Sequence, residues 1–287
     1  MQRSLSSVVV TLVLLSAFAH ALWNALLKRT REPTDASIPL FAVCAASSVA
    51  LAIAAGAHVP PPRALVWCLG SGVLEAAYFV TLARALARAP LGPVYTVVRG
   101  GALVVVWPIT LAFLGERLTA ASAGGVALIA AGLVATGAAD GQRDRSRGAL
   151  VRNLGWAAIS AVFVAGYHVS YKVALSDGAE PLAAAGVSLS VASALNVAVV
   201  GRGSGGRAWK ALREQPVRIV VGGLLANLGF ALFIYAMAHA GAGAVTTLRN
   251  TSVLFAQLFA TMQGDRPKGL GLVGAACVTA GAVLLSR

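Results

Sequence analysis

The sequence predicts an all-α integral membrane protein of ten transmembrane helices, arranged as two inverted five-helix repeats. Hydrophobic residues make up 58% of the 287 residues and charged residues only 11%, whereas a soluble domain carries roughly 25% charged residues. The mean hydropathy is +0.79. Water could not solvate so apolar a surface, so lipid must be the main solvent of the fold.

Ten apolar runs have the length of about 17–25 residues that a helix needs to cross a bilayer. The first resembles a secretory signal, because Arg3 precedes it, but its apolar stretch continues to Leu27. The second half of the chain also repeats it, so we predict a retained helix. The runs lie at 5–27, 36–57, 64–87, 91–114, 120–138, 154–175, 182–200, 217–238, 242–262 and 269–285.

The two halves of the sequence repeat each other. Residues 15–28 align without gaps on residues 159–172, and Gly132 later matches Gly281. Arg99 and Arg249 match only if the register slips by one residue. Five helices are an odd number, so the second half must have the opposite orientation in the membrane. We predict a first repeat at 1–139, a polar linker at 140–153 and a second repeat at 154–287.

The distribution of basic residues predicts the orientation. Apart from Arg99 and Arg249, the 23 Lys and Arg divide into five on the side of the N-terminus and sixteen on the other side. Basic loops stay in the cytoplasm. We therefore expect a multi-pass protein of the cytoplasmic (inner) membrane with both termini outside the cytoplasm.

Ionisable residues within the apolar runs indicate a functional site, because they are costly in lipid and usually face a cavity. Arg99 and Arg249 lie in the fourth and ninth runs, and Glu75 lies in the third. Two arginines suit an oxyanion, which a guanidinium binds with two parallel hydrogen bonds. The other candidate substrate-binding residues are polar or aromatic: His20, Trp23, Asn24, Tyr78, Tyr95, Tyr167, His168, Tyr171 and Asn250.

Several roles stay open at this point. Glu75 could be a counter-ion for an arginine, a proton carrier or a structural partner. Trp23 and Tyr171 fit either a cavity wall or an anchor at the membrane interface. Lys28 lies near a helix end and can extend to the interface.

Other functional classes lack support in the sequence. The net charge of +13 comes from residues in the gaps between apolar runs, which does not favour nucleic acid. The three cysteines lie inside apolar runs without metal-ligand spacing. Nucleotide-binding loops and hydrolase motifs are absent from the sequence, so we expect no cofactor, no metal and no enzyme activity.

The motifs and their order resemble the EamA family of the drug/metabolite transporter superfamily. The first half carries His20-Ala21-Leu22-Trp23-Asn24, residues 85–90, residues 94–100 and residues 114–118. The second half carries residues 249–252 and 264–266. The sequence departs from the family where Asn250 follows Arg249 and where Asp265 replaces the usual glutamate. The resemblance implies ten helices and the export or import of small metabolites.

We therefore expect a secondary transporter that moves an anionic or zwitterionic metabolite, such as an amino acid or a phosphonate, by alternating access. The alternatives are a proton-coupled exporter of cationic drugs and a channel. The expected partners are the small-molecule substrate and the lipid bilayer, with the chain acting as a monomer or a homodimer.

Overall fold

The computed structural model is helical in the parts of the chain that it describes, which are residues 7–113, 120–141, 147–200, 202–203, 205–239, 242–262, 264 and 269–285. The described residues form twelve helices: α1 (Ser7–Lys28), α2 (Pro33–Ala54), α3 (Pro62–Arg88), α4 (Leu91–Phe113), α5 (Ala120–Gly141), α6 (Arg147–Ser176), α7 (Pro181–Val200), α8 (Gly205–Glu214), α9 (Pro216–His239), α10 (Ala242–Arg249), α11 (Ser252–Met262) and α12 (Gly269–Leu285).

The prediction of an all-α fold is confirmed, with two differences in the elements. The apolar run at 242–262 forms two helices, α10 and α11. A further short helix, α8, occupies the polar gap between α7 and α9. Apolar content alone could predict neither feature. It indicates which segments are buried in lipid, but it does not show where the backbone hydrogen bonding of a helix is interrupted.

Local sequence determines where several helices begin and end. Four helices begin at a proline, which has the backbone angle of a first helical turn and needs no hydrogen-bond partner there. The chain leaves α2 through Gly56 (φ 67°) and leaves α6 through Gly178 (φ 91°), in the left-handed region that glycine adopts without strain. The prolines are Pro33, Pro62, Pro181 and Pro216.

The outer surface is apolar and part of the interior is polar, as in a protein surrounded by lipid. Val134 is 73% exposed and Val66 is 67% exposed, whereas Glu75 and Arg249 are fully buried. In the described residues, six helices are long and apolar enough to cross a membrane, and four further apolar helices are shorter. These helices indicate a multi-pass membrane protein, while the count of ten spans stays a prediction.

The most extensive helix contacts join the first half of the chain to the second. α5 packs on α12, α3 on α6, α1 on α9 and α2 on α7. Glycine permits the closest of these approaches. A methyl group added at Gly132 would lie 2.7–3.0 Å from α12, nearest the carbonyl oxygen of Gly274 at 2.7 Å, and one added at Gly281 would lie 2.6 Å from the carbonyl oxygen of Gly125. The order of these contacts makes α5 and α12 antiparallel.

A contact between loops joins the halves at one end of the bundle. The His58 ring nitrogen Nδ1 lies 2.8 Å from a carboxylate oxygen of Glu180. These two residues follow α2 and precede α7. The contact lowers the pKa of the Glu180 carboxyl, chiefly by its hydrogen bond with His58. Both side chains are solvent-exposed, so the contact adds little to stability.

Candidate functional site

The interruption between α10 and α11 presents Arg249 inside the bundle. α10 ends at Arg249, and the Thr251 N–H donates to the Leu248 carbonyl at 3.1 Å. This three-residue spacing replaces the four-residue bonding of an α-helix. Arg249 is fully buried. The corresponding helix of the first half, α4, continues past Arg99 without interruption. The one-residue slip in the alignment of Arg99 with Arg249 therefore falls close to the interruption in the second half.

The Arg249 guanidinium contacts α1 and α9. Its Nη2 lies 3.2 Å from His20 Nδ1, and its Cζ lies 3.9 Å from the centroid of the Phe233 ring, over which a cation is favourable. The Trp23 indole N–H reaches the same His20 nitrogen at 3.3 Å. Both neighbours are donors, so Nδ1 is the acceptor and the imidazole is neutral, with its proton on Nε2.

Arg99 approaches the same histidine from α4. Its side chain is 3% exposed, and its Cζ lies 5.8 Å from the centroid of the Tyr95 ring. The Tyr95 ring packs in turn against His20, with 5.7 Å between centroids. Arg99, Arg249 and His20 lie within electrostatic range of one another. Helices α1, α4 and α10 therefore converge on two buried positive charges.

Aromatic side chains from α3, α6 and α9 form the opposite wall. The rings of Tyr78 and Tyr167 lie 5.6 Å apart, and Tyr167 lies 5.8 Å from Phe230. His168 packs against Tyr167 at 4.6 Å and against Phe233 at 5.1 Å. Phe233 also underlies Arg249, so this wall is continuous with the arginine side of the site.

Glu75 lies beside this wall and is fully buried. The Tyr171 hydroxyl donates to one carboxylate oxygen at 3.2 Å, while the other oxygen has no hydrogen-bond partner among the described residues. Within that part of the chain, no ion pair joins Glu75 to Arg99 or Arg249. In this conformation Glu75 is therefore held by a tyrosine, and neither arginine contacts an acid among the described residues.

Several buried polar atoms around the two arginines are without a hydrogen-bond partner among the described residues. Leaving such an atom unpaired costs about 1–3 kcal/mol, and native proteins have few of them. Their concentration here indicates a surface shaped to bond a polar ligand. The atoms are Arg249 Nε and Nη1, Arg99 Nη2, the hydroxyls of Tyr95 and Tyr167, both ring nitrogens of His168, Asn24 Oδ1 and Asn250 Nδ2.

The structure brings the residues singled out from the sequence into one buried region. Asn24 lies one turn from His20 and donates to its carbonyl oxygen at 2.7 Å, and Asn250 adjoins Arg249 in the chain. Trp23 is 2% exposed and Tyr171 is fully buried, so the alternative that they anchor the protein at the membrane interface is wrong.

Lys28 makes a structural contact with the C-terminal end of α3. Its ammonium donates to the carbonyl oxygens of Leu86 and Ala89 at 2.8 and 2.9 Å. These carbonyls belong to the last turn of α3, where a cation satisfies backbone acceptors that the helix leaves open. Asp265 and residues 114–118, which carry part of the family resemblance, lie outside the described residues.

Comparison with known proteins finds one family that resembles the second half of the chain. The model of the EamA-like transporter family matches residues 152–287. This part of the chain is similar to that family. The resemblance noted in the sequence is thereby confirmed for residues 152–287, and the apolar helices indicate a multi-pass membrane protein.

The fold of the chain also occurs among solved structures. One crystal structure matches 96% of this chain and 96% of its own chain, with a TM-score of 0.64 and 22% sequence identity. At that identity the likeness shows the fold alone. No curated protein matches the chain significantly.

Two residues of the candidate site could not be recognised from the sequence. Phe230 and Phe233 of α9 lie under Arg249, with Cζ-to-centroid distances of 5.6 and 3.9 Å. In the sequence they are two phenylalanines of an apolar run, and nothing distinguishes them from residues that face lipid. Their spacing of three places them on one face of α9, but only the position of Arg249 shows which face that is.

Proposed function

We propose that the chain is a secondary transporter for a small anionic or zwitterionic metabolite, whose acidic group binds between Arg99 and Arg249. The observation that carries the proposal is the pair of buried arginines with unpartnered N–H groups and no acid in contact among the described residues. Buried positive charge is costly unless an anion accompanies it. A carboxylate, phosphonate or phosphate would supply both the charge and the acceptors.

The interruption at 250–251 favours the same ligand class. The first turn of α11 directs backbone N–H groups and partial positive charge toward its N-terminus, where anions bind. Asn250 Nδ2 and Ser252 Oγ at this position are buried and have no partner among the described residues. Interrupted helices that bind charged substrate groups with their inner ends are common in secondary transporters.

The aromatic wall suits the rest of the substrate. Tyr78, Tyr167, Phe230 and Phe233 offer ring faces and edges, with few hydrogen-bonding atoms apart from the two hydroxyls. A zwitterion such as an amino acid could place its ammonium over these rings while its carboxylate meets the arginines.

Alternating access follows from two halves of opposite orientation, which we propose at 1–139 and 154–287 with a linker at 140–153. The glycine contacts support this arrangement, because Gly132 meets Gly274 as Gly281 meets Gly125. Exchanging the halves therefore reproduces the contact. The site takes α1, α3 and α4 from the first half and α6, α9 and α10 from the second, so rocking one half against the other would open it to either side.

Membrane and orientation belong to the same proposal. The excess of Lys and Arg on the side away from the termini supports a chain in the cytoplasmic membrane with both termini outside the cytoplasm. The nearly complete burial of the site supports a carrier over a channel, because a conducting pore needs a continuous aqueous path.

Glu75 supports a second candidate, a proton-coupled exporter of cationic drugs. The unpartnered oxygen of its carboxyl could hold a proton or meet a cationic substrate. Two nearby arginines weigh against a cationic substrate, because they would repel it. We therefore favour the anionic or zwitterionic substrate and assign Glu75 to proton coupling.

A thermal-shift screen of the purified protein against acidic, zwitterionic and cationic metabolites tests the proposal. We expect stabilisation by acids or zwitterions, because a ligand that binds only the folded state raises its stability. Arg99→Ala and Arg249→Ala should each abolish the shift. Arg84→Ala is the matched control, because Arg84 stacks on Trp156 at 4.8 Å on the α3–α6 contact and not at the site. Stabilisation confined to cations, or equal in all variants, would refute the proposal.

A further inference from the structure

The short helix α8 differs in character from the helices that surround it. Its buried residue is Ala208, and Ala211 and Leu212 are half-buried, whereas Lys210 and Arg213 are exposed. Hydrophobic and basic residues therefore lie on different faces of this ten-residue helix. Helices of this kind commonly lie at the membrane surface.

Ion pairs attach α8 to the rest of the bundle. Arg207 Nε donates to Asp35 at 3.0 Å, and the Asp35 side chain is only 13% exposed. Glu214, at the other end of α8, accepts from Arg31 at 3.3 Å. Asp35 and Arg31 belong to the start of α2 and to the turn before it. These contacts hold α8 in a defined position beside α2.

A groove of about 440 Å³ lies between α2, α7 and α8 and is open to the outside. The Trp209 side chain is 55% exposed there, and Val197 is 48% exposed. Arg202 lies in the turn between α7 and α8 and also lines the groove. The remainder of the lining is mostly apolar: Ile38, Pro39, Val197, Ala208, Trp209 and Leu212.

We propose that this groove binds an anionic phospholipid of the surrounding bilayer, with an acyl chain along the apolar lining and the headgroup phosphate at Arg202. An exposed tryptophan beside basic residues is the composition of a membrane interface. Arg213 lies 5.0 Å over the Trp209 ring, so a further cation borders the groove, and Lys210, which pairs with Glu214 at 3.8 Å, is exposed on the same helix. Each basic residue near an anionic membrane surface adds to the attraction.

Charge argues against a second copy of this chain as the occupant. A symmetric dimer formed through the groove would place the same patch on both partners. Arg202, Lys210 and Arg213 would then face their own copies, and like charges across an interface oppose association. An anionic lipid carries the charge opposite to that of these three residues, so its binding would be favoured. This inference does not depend on the identity of the transported substrate.

Quenching of Trp209 fluorescence tests the inference on the full-length protein. The protein in detergent micelles would be titrated with brominated phosphatidylglycerol and, separately, with brominated phosphatidylcholine. Subtracting the signal of Trp209→Phe isolates this tryptophan from the other four. We expect phosphatidylglycerol to quench Trp209 at lower concentration, and added salt to reduce the difference.

Arg202→Gln should require about five-fold more phosphatidylglycerol for half-maximal quenching, as expected for the loss of one surface charge. Arg63→Gln is the matched control, because Arg63 is an exposed arginine at the start of α3, at the other end of the bundle. Its titration should equal that of the unchanged protein. Equal quenching by the two lipids, an unchanged Arg202→Gln titration, or protection of Trp209 by dimerisation would each overturn the inference.

Discussion

Replacing Arg99 by glutamine should stabilise the protein without substrate and weaken its response to substrate. In the structure Arg99 has an aromatic contact near the outer limit for such interactions, with 5.8 Å between Cζ and the Tyr95 centroid. Losing this contact costs about 0.5–1 kcal/mol. Removing the buried Nη2 donor, which has no hydrogen-bond partner among the described residues, recovers about 1–3 kcal/mol. The substitution also relieves repulsion from Arg249, so the net expectation is a gain of about 1 kcal/mol.

The response to substrate should change in the opposite direction. At a concentration one hundred times the Kd, a ligand stabilises the unchanged protein by about 2.7 kcal/mol. Losing a charged hydrogen bond to the ligand removes about 1.5–3 kcal/mol of binding energy. At the same concentration, the stabilisation of Arg99→Gln should then fall to about 0.3–1.3 kcal/mol.

Thermal unfolding in one detergent, with and without a ligand from the screen, measures both effects. Arg84→Gln is the control, because it removes an arginine that also stacks on an aromatic ring but lies outside the site. Its response to ligand should equal that of the unchanged protein. The reasoning is refuted if Arg99→Gln unfolds at a clearly lower temperature without ligand and retains the full ligand-induced shift, since Arg99 would then be structural.

Three further substitutions test other parts of the account. Glu75→Gln should leave substrate binding intact but abolish the response of flux to an imposed pH gradient, measured in proteoliposomes; an unchanged pH response would exclude Glu75 as the proton carrier. Gly274→Leu should lower the unfolding temperature, because overpacking against Gly132 costs about 1–3 kcal/mol, whereas Gly155→Leu, which enters open space, should not; equal stability of both would contradict the glycine contact. Lys28→Met should lose about 1–3 kcal/mol of stability, because it leaves two carbonyls without their donor, while the ligand Kd stays unchanged; a weakened Kd at full stability would instead place Lys28 at the substrate.

The helices could be predicted from the sequence because burial in lipid requires a long run of apolar residues. A spanning segment must be apolar over its whole length, and so residues such as Arg99 and Glu75 stand out against it. The same signal located the polar residues of the candidate site without any knowledge of their contacts. Hydropathy could not show whether Trp23 is buried in the bundle or lies at the membrane interface, because both positions favour an amphipathic ring.

The remaining features depend on geometry that hydropathy does not encode. The interruption after Arg249 leaves the apolar run intact, and its only trace in the sequence is the one-residue slip between the repeats. α8 is too short and too charged to stand out from a polar linker. The pairing of Glu75 with Tyr171, in place of an arginine, depends on how α3 and α6 face each other.

Flux in proteoliposomes tests the central claim most directly. Purified protein would be reconstituted, and uptake of a labelled ligand from the thermal-shift screen would be measured over a range of concentrations. The account predicts saturable uptake that depends on the imposed gradient and is lost in both Arg99→Ala and Arg249→Ala, while Arg84→Ala transports normally. Uptake that rises linearly without saturation, ohmic current, or full transport by the two site variants would contradict it.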